Sequence, residues 1–191
     1  MTKEFDLLVY IGRFQPLHNS HVKTIETALE MSEKVLVAVG SVNQPRSLRN
    51  PWTWEERATM IFRVFVDEYP NVLLYPVHDI LEDNESWARQ IKQEVFLQGD
   101  KKVGLIGHHK DDSTFYLDLF PEWGQVEMEN IDGLNATDIR GEYFGLSKIG
   151  KEISSILHPE VYNYLMEFEK TKEFEKLWEE IYNDKPNSKY G

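Results

Sequence analysis

Short apolar runs at residues 7–11, 35–39, 72–75 and 103–106 alternate along this chain with stretches of helical periodicity at 22–31, 55–66, 87–97 and, more briefly, 114–119. Such runs, without polar alternation, suit strands covered on both faces. A weaker strand signal lies near Val126. Strands that alternate with helices are joined by crossovers and so build a parallel sheet. The expected fold is therefore α/β, a three-layer sandwich with a parallel sheet. After about residue 146 the strand signal stops, and helical pattern continues through 149–157 and, beyond Pro159, through 161–168. The C-terminal portion is thus expected to be helical. Residues 170–182 are charged, with a thin apolar seam of Phe174, Leu177 and Ile181, and read as either a packing helix or a linker. Residues 183–191 read as a disordered tail.

A length of 191 residues, 41% of them hydrophobic, suffices for one substantial core. We expect one domain over residues 1–168, followed by a charged helical extension and tail over 169–191. The chain has no cysteine, which excludes disulfides and thiolate metal sites. No apolar run approaches the roughly 20 residues of a membrane span, and residues 1–6 lack the basic and apolar regions of a signal peptide. No membrane partner and a cytoplasmic location are expected. A formal charge of -12 argues against a nucleic-acid partner, which would require a basic surface. Against this acidic background local cations stand out. Arg46, Arg49 and Arg57 lie close in sequence, with Arg13 and Arg140 elsewhere. Each has an ordinary reading as a solvated surface arginine and another as an anion ligand.

Residues 12–21, Gly-Arg-Phe-Gln-Pro-Leu-His-Asn-Ser-His, link the first apolar run to the first helical stretch. They read as a strand end, a tight turn and a helix start, with His18 and His21 one turn apart on one face. The first turn of a helix offers unpaired N–H groups and the positive end of the helix dipole, where anions bind readily. Gly12 allows close backbone approach and Pro16 stiffens the turn. The segment reads as a phosphate site. The histidines have two other readings: a metal half-site, for which a third ligand is missing nearby, and a capped helix with no ligand. Thr53-Trp54-Glu55-Glu56 fits a structural capping box. Thr137-Asp138-Ile139-Arg140 opens a short helix, again placing N–H groups and an arginine where a phosphate fits.

Glycine, arginine and then two histidines after a first strand resemble the nucleotidyltransferase superfamily, whose signature is His-x-Gly-His. The string Gly12-Arg13-Phe14-Gln15-Pro16-x-His18 is similar to one branch, the nicotinamide-mononucleotide adenylyltransferases of the archaeal type, which also form the first domain of bacterial bifunctional proteins carrying a Nudix hydrolase domain. Gly40-Ser41, Ser47-Leu48-Arg49-Asn50-Pro51-Trp52-Thr53 and Glu56-Arg57 resemble that branch's second-strand loop and following helix. Asp79-Ile80, Asn84 and Trp87 resemble its nicotinamide-binding segment. Gly107-His108-His109-Lys110-Asp111-Asp112-Ser113, with Phe120-Pro121-Glu122-Trp123, looks like the bifunctional form, and Asn135-Ala136-Thr137-Asp138-Ile139-Arg140 resembles the Ile-Ser-x-Thr-x-x-Arg phosphate motif. Two positions depart from the pattern. Ser20 replaces the glycine between the histidines, where an exposed hydroxyl would donate to phosphate but a lost close approach would weaken binding. Asn135 replaces the serine of the second motif. Too few residues follow the first domain for a Nudix domain, so the chain reads as a stand-alone transferase or a fragment.

The resemblance implies a Rossmann-like sandwich in which ATP lies over the carboxyl ends of the strands. The phosphate of nicotinamide mononucleotide attacks it, giving NAD and pyrophosphate in pyridine nucleotide biosynthesis. It implies catalytic roles on the ATP phosphates for His18, His21, Arg13, Arg49 and Arg140, and ATP binding by Gly12, Phe14, Gln15, Gly107, His108, Asn135 and Thr137. Ser41, Asn84 and Trp87 are implied to bind the nicotinamide nucleotide. Magnesium would arrive with ATP, held by phosphate oxygens and water rather than by a protein cage. Trp87 keeps two readings, a platform for the nicotinamide ring and ordinary core packing, and His108-His109 reads equally as an adenine contact or as surface. Trp52, Trp54 and Trp123 read as structural. The resemblance also implies a homo-oligomer, with the C-terminal helices as a source of interface. The alternatives keep the ATP site and change the acceptor, to nicotinate mononucleotide or phosphopantetheine, or make the chain a non-catalytic nucleotide-binding regulator, at which Ser20 hints.

Overall fold

A computed structural model of the chain describes residues 3–65, 69–107, 118–128, 135–146 and 152–183. In chain order the elements are β1 (Phe5–Gly12), α1 (Asn19–Met31), β2 (Ser32–Val39), α2 (Trp54–Phe65), β3 (Val72–Pro76), α3 (Asn84–Gln98), β4 (Val103–Gly107) and β5 (Gly124–Glu127), then α4 (Ala136–Tyr143), α5 (Ile153–Ile156), α6 (Pro159–Phe168) and α7 (Lys172–Asn183). The strands form one sheet in the order β3-β2-β1-β4-β5, every neighbouring pair parallel. β1 is central, with Leu8 opposite Val35 on one side and Gly104 on the other. The chain winds outward from β1 in one direction and then in the other, so the order switches beside the carboxyl end of β1. That is where open α/β sheets bind ligands.

Side chains alternate across a strand, and the two sets of strand residues enter two cores. Leu8 and Tyr10 of β1 and Val35 and Val37 of β2 pack with Ile25 of α1, Met60 and Ile61 of α2, and the C-terminal helices. Leu7, Val9 and Ile11 pack with Leu36, Leu105 and Phe120, and with Ala88, Ile91 and Val95 of α3. The expected three layers are thus present, with α3 covering one face and the remaining helices the other.

Helix starts follow local chemistry. In the capping box before α2, Thr53 N–H donates to Glu56 at 2.8 Å and Glu56 N–H donates to the Thr53 hydroxyl at 3.4 Å. Asp83 caps α3, accepting from Ser86 N–H at 2.8 Å, and Gly99 ends that helix in the left-handed region at φ 76°, a conformation that suits glycine. Helices α1 and α3 begin three residues before their apolar periodicity, at Asn19 and Asn84. The first turn of α3 carries Asn84 into the cleft, and that of α1 holds Asn19, which donates to Ser155 O at 3.3 Å, and the buried Ser20.

The charged C-terminal stretch is a packing helix. Leu177 of α7 is buried, and Phe174 and Ile181 pack on the same core. Phe174 stacks on Phe144 at 5.7 Å and meets Phe168 edge-on at 6.0 Å. The ring of Trp52 joins this group, 5.7 Å from Tyr143 and 6.1 Å from Phe168. Of the expected helix at 149–157, α5 supplies residues 153–156; residues 149–151 lie outside the described residues, as do 114–117 of the brief helix and 184–191 of the tail. Among the described residues no helix is long and apolar enough to cross a membrane. Truncation of Leu177 to alanine removes the buried anchor of α7. It is expected to cost about 3 kcal/mol in urea unfolding and to speed amide exchange along α7 while the β1 and β2 amides stay protected.

Candidate active site

The carboxyl ends of β1 and β2 open into a cleft of about 540 Å³, within the range of small-ligand sites. Gly12 and Arg13 leave β1 into it, Gly40 and Ser41 leave β2 into it, and Arg49 reaches it from the following loop. Asp79, Ile80, Asn84 and Trp87 form the opposite wall. The side chain of Asn43 ties this wall to the β2 loop, donating to Asp79 O at 3.0 Å and accepting from Asp79 N–H at 2.9 Å. The three residues expected at the nicotinamide nucleotide, Ser41, Asn84 and Trp87, therefore line one cavity with Gly12, Arg13 and Arg49. Trp87 is half-buried and also packs on the core beneath α3, so both of its readings describe part of the ring.

Beside the cleft, His18 caps α1 and His21 stands one turn on. Their rings stack 3.6 Å apart between centroids. His21 Nδ1 accepts the His18 backbone N–H at 3.3 Å, so a neutral His21 carries its proton on Nε2 as a donor. Phe14 holds the other side of His21, edge-on at 4.9 Å. Its backbone lies in the left-handed region, φ 52°, a costly conformation for a bulky residue. The Phe14 ring lies over Gly12, where a β-carbon would sit 2.9 Å from the ring. The missing side chain of Gly12 thus makes room for Phe14. Ser20 is buried, 8% exposed, which removes its reading as an exposed phosphate donor.

The loop after β1 is held by side chains from distant segments. Gln15 is buried; its amide donates to Trp52 O at 2.9 Å and accepts from Trp52 N–H at 3.1 Å. Arg140 of α4 donates to Gln15 O at 2.8 Å and to the Thr137 hydroxyl at 3.1 Å. Asn135 caps α4, accepting from Asp138 N–H at 2.8 Å, so asparagine supplies the capping acceptor here. Gly107 ends β4, and among the described residues nothing lies within 4 Å of where its side chain would begin. His108 and His109 lie outside the described residues.

Electrostatically the site is a knot of like charges. Burial, and then the charge of Arg49, pull Arg13 below its ordinary value. Burial, with Arg13 and Arg49 adding to it, pushes Arg140 down to about 10. Arg13 Nη1 and Arg140 Nε are buried without a hydrogen-bond partner among the described residues. Three guanidiniums that repel one another, two of them with an unused donor, have the chemistry to suit a polyanion. Among the described residues no group of three histidines or carboxylates is placed to hold a metal ion.

The three arginines clustered in sequence separate in space. Arg49 lines the cleft. Arg46 binds both carboxylate oxygens of Glu56 at 2.7 Å, pinning the loop from outside. Arg57 is buried and turned to backbone carbonyls of both strand-end loops. Its signal was present in the sequence. Arg57, Ile61 and Phe65 recur every fourth residue, which places the arginine on the apolar stripe of α2.

Residues 9–156 match the family model described as cytidylyltransferase-like. The chain belongs to the cytidylyltransferase-like family. It is 38% identical over 178 residues to the nicotinamide/nicotinic acid mononucleotide adenylyltransferase of Acinetobacter baylyi, covering 91% of this chain and 92% of that protein. It is 42% identical over 140 residues to the nicotinamide-nucleotide adenylyltransferase of Thermococcus sibiricus, covering 69% of this chain and 70% of that one. Among solved structures, a bifunctional NMN adenylyltransferase/ADP ribose pyrophosphatase of Francisella tularensis, complexed with AMP and a manganese ion, superposes with a TM-score of 0.82 at 26% identity. That match covers 94% of this chain and 53% of the Francisella chain, so this member of the cytidylyltransferase-like family spans about half of that protein. A polyanion relieves the repulsion among Arg13, Arg49 and Arg140. Inorganic pyrophosphate at 100 times its Kd is therefore expected to stabilise the protein by about 2.7 kcal/mol. Arg140→Met is expected to weaken pyrophosphate binding about tenfold, measured by thermal shift and calorimetry.

Proposed function

We infer that the chain transfers the adenylyl group of ATP to nicotinamide mononucleotide, forming NAD and releasing pyrophosphate. The observation that carries this reading is one cleft with two kinds of wall. Asn84 and Trp87 offer an amide and an aromatic face for a nicotinamide ring, and Arg13 and Arg49 offer charge for phosphates.

In this mechanism an oxygen of the acceptor phosphate attacks the α-phosphorus of ATP. The bond from that phosphorus to the bridging oxygen breaks in line, and its electron pair leaves with pyrophosphate. No protein nucleophile takes part, so catalysis rests on positioning and charge stabilisation. His18 and His21 donate to the ATP phosphates, with the tautomer of His21 set by the backbone of His18. Arg140 and Thr137, already joined at 3.1 Å, hold the β and γ groups, while Arg13 and Arg49 meet the charge that develops on the leaving pyrophosphate. Gly12, Phe14, Gln15, Gly107 and Asn135 shape the ATP side through backbone and packing, and Ser41 faces the acceptor. The cationic groups gathered here suit triphosphate oxygens and not a bare dication. Magnesium accordingly enters with ATP on phosphate oxygens and water.

Nicotinate mononucleotide is the second acceptor to consider, because the Acinetobacter relative is a nicotinamide/nicotinic acid mononucleotide adenylyltransferase. The regulator reading loses its support, since the stacked histidine pair forms with Ser20 in place. The purified chain with ATP, magnesium and nicotinamide mononucleotide is expected to yield NAD and pyrophosphate in equal amounts by chromatography. Nicotinate mononucleotide run in parallel measures the preference. His21→Ala should lower turnover by about 100- to 1,000-fold while ATP still binds. Product from neither acceptor, with ATP bound, would sink the reading.

A further inference from the structure

Arg57 is only 1% exposed and is not among the described residues that line the cleft. Nη1 donates to Arg13 O and to Gly40 O, both at 2.7 Å, Nη2 donates to Ser41 O at 3.4 Å, and Nε donates to Thr53 O at 3.2 Å. Four of its five N–H groups are thus spent on backbone carbonyls from three segments. Two of those segments are the strand-end loops that carry Arg13 and Ser41 into the cleft. They already meet once, where Gly40 N–H donates to Gly12 O at 2.9 Å. Parallel strands that run out side by side leave carbonyls with no ladder partner, and burial makes each of these costly. Arg57 collects them on one rigid plane.

The arrangement carries a cost that packing alone does not explain. Burial, and next the charge of Arg13, push Arg57 down to about 10. Neutral donors could satisfy carbonyls without repelling a site arginine. A planar fork, however, fixes the distance between two loops in a way that a flexible ammonium or separate hydroxyls cannot. We propose that Arg57 is a positioning residue that sets the spacing between the Arg13 loop and the Gly40–Ser41 loop, and so aligns the acceptor phosphate with the α-phosphorus of ATP. Arg57 touches no substrate and acts through the two loops. This inference rests on the adenylyl-transfer reading.

The test compares wild type, Arg57→Lys and Arg57→Met, with kinetics for nicotinamide mononucleotide, separate calorimetric ATP binding and amide exchange. Lysine keeps the charge but has three donors around one nitrogen and cannot span both loops. In folded Arg57→Lys, kcat/KM for the acceptor is expected to fall about 100-fold, the loss associated with roughly 1 Å of misplacement. ATP binding, held also by His18, His21 and Arg140, is expected to weaken far less than turnover falls. The Gly40 amide exchanges faster while the Val37 amide does not. Wild-type kcat/KM in folded Arg57→Lys would overturn the proposal. So would a loss of ATP binding in step with turnover, or failure of both variants to fold, since each assigns Arg57 to the fold alone. If wild type makes no product, the functional reading has failed, and exchange at Gly40 still decides whether Arg57 spaces the loops.

Discussion

The backbone carbonyl of Gln15 accepts from Arg140, while the side-chain amide of the same residue bonds in both directions to the backbone of Trp52. The geometry of the site depends on this junction. It fixes a loop that β1 alone cannot hold, because the loop leaves the sheet where the ladder stops. Through it, residues far apart in the chain share one position: the strand-end loop, the lead into α2, and α4. Phe14, immediately before Gln15, is held in a costly backbone conformation, and its ring steadies His21. The loop and the histidine pair are thereby held in one arrangement by the protein itself, which is the condition for electrostatic stabilisation without reorganisation.

Stability and function pull against each other here. Crowding the buried Arg140 and the half-buried Arg13 beside the exposed Arg49 costs free energy, and the chain offsets part of it by turning Arg140 to a backbone carbonyl. The overall charge of -12 does not contradict an anion site. It leaves the cleft as a local positive region on an acidic protein, and long-range attraction between exposed charges is largely screened at physiological salt.

Much of this was legible in the sequence, and the reasons differ by element. The strands could be read because runs buried on both faces are apolar at every position, as in β1 and β2. Helix starts were read late at α1 and α3 because apolar periodicity marks the face on the core and is silent about a polar first turn. Asn84 and Trp87, one helical turn apart, line the same cleft as Ser41. Gln15 shows the limit. Read as an ATP ligand, its side chain is buried against Trp52, and its reach to ATP runs through the loop it holds. The reading of Ser20 as an exposed donor failed for a similar reason, since burial is a property of the packed helix and not of the motif. The seam of α7 was visible, but only the aromatic group formed by Phe144, Phe168 and Phe174 decides between packing helix and linker. The three neighbouring arginines, alike in sequence, took three different tasks because side-chain direction is settled by tertiary structure.

The ring of Trp52 packs among Tyr143 and Phe168, and Phe168 is in turn braced by Phe174 of α7, while the backbone of Trp52 grips Gln15. The last helix and the first loop therefore work as one girder, although more than 150 residues separate them in the chain. The aromatic rings that back Trp52 come from the C-terminal part of the chain, so a change packed under α7 reaches the loop after β1 through Phe168 and Trp52.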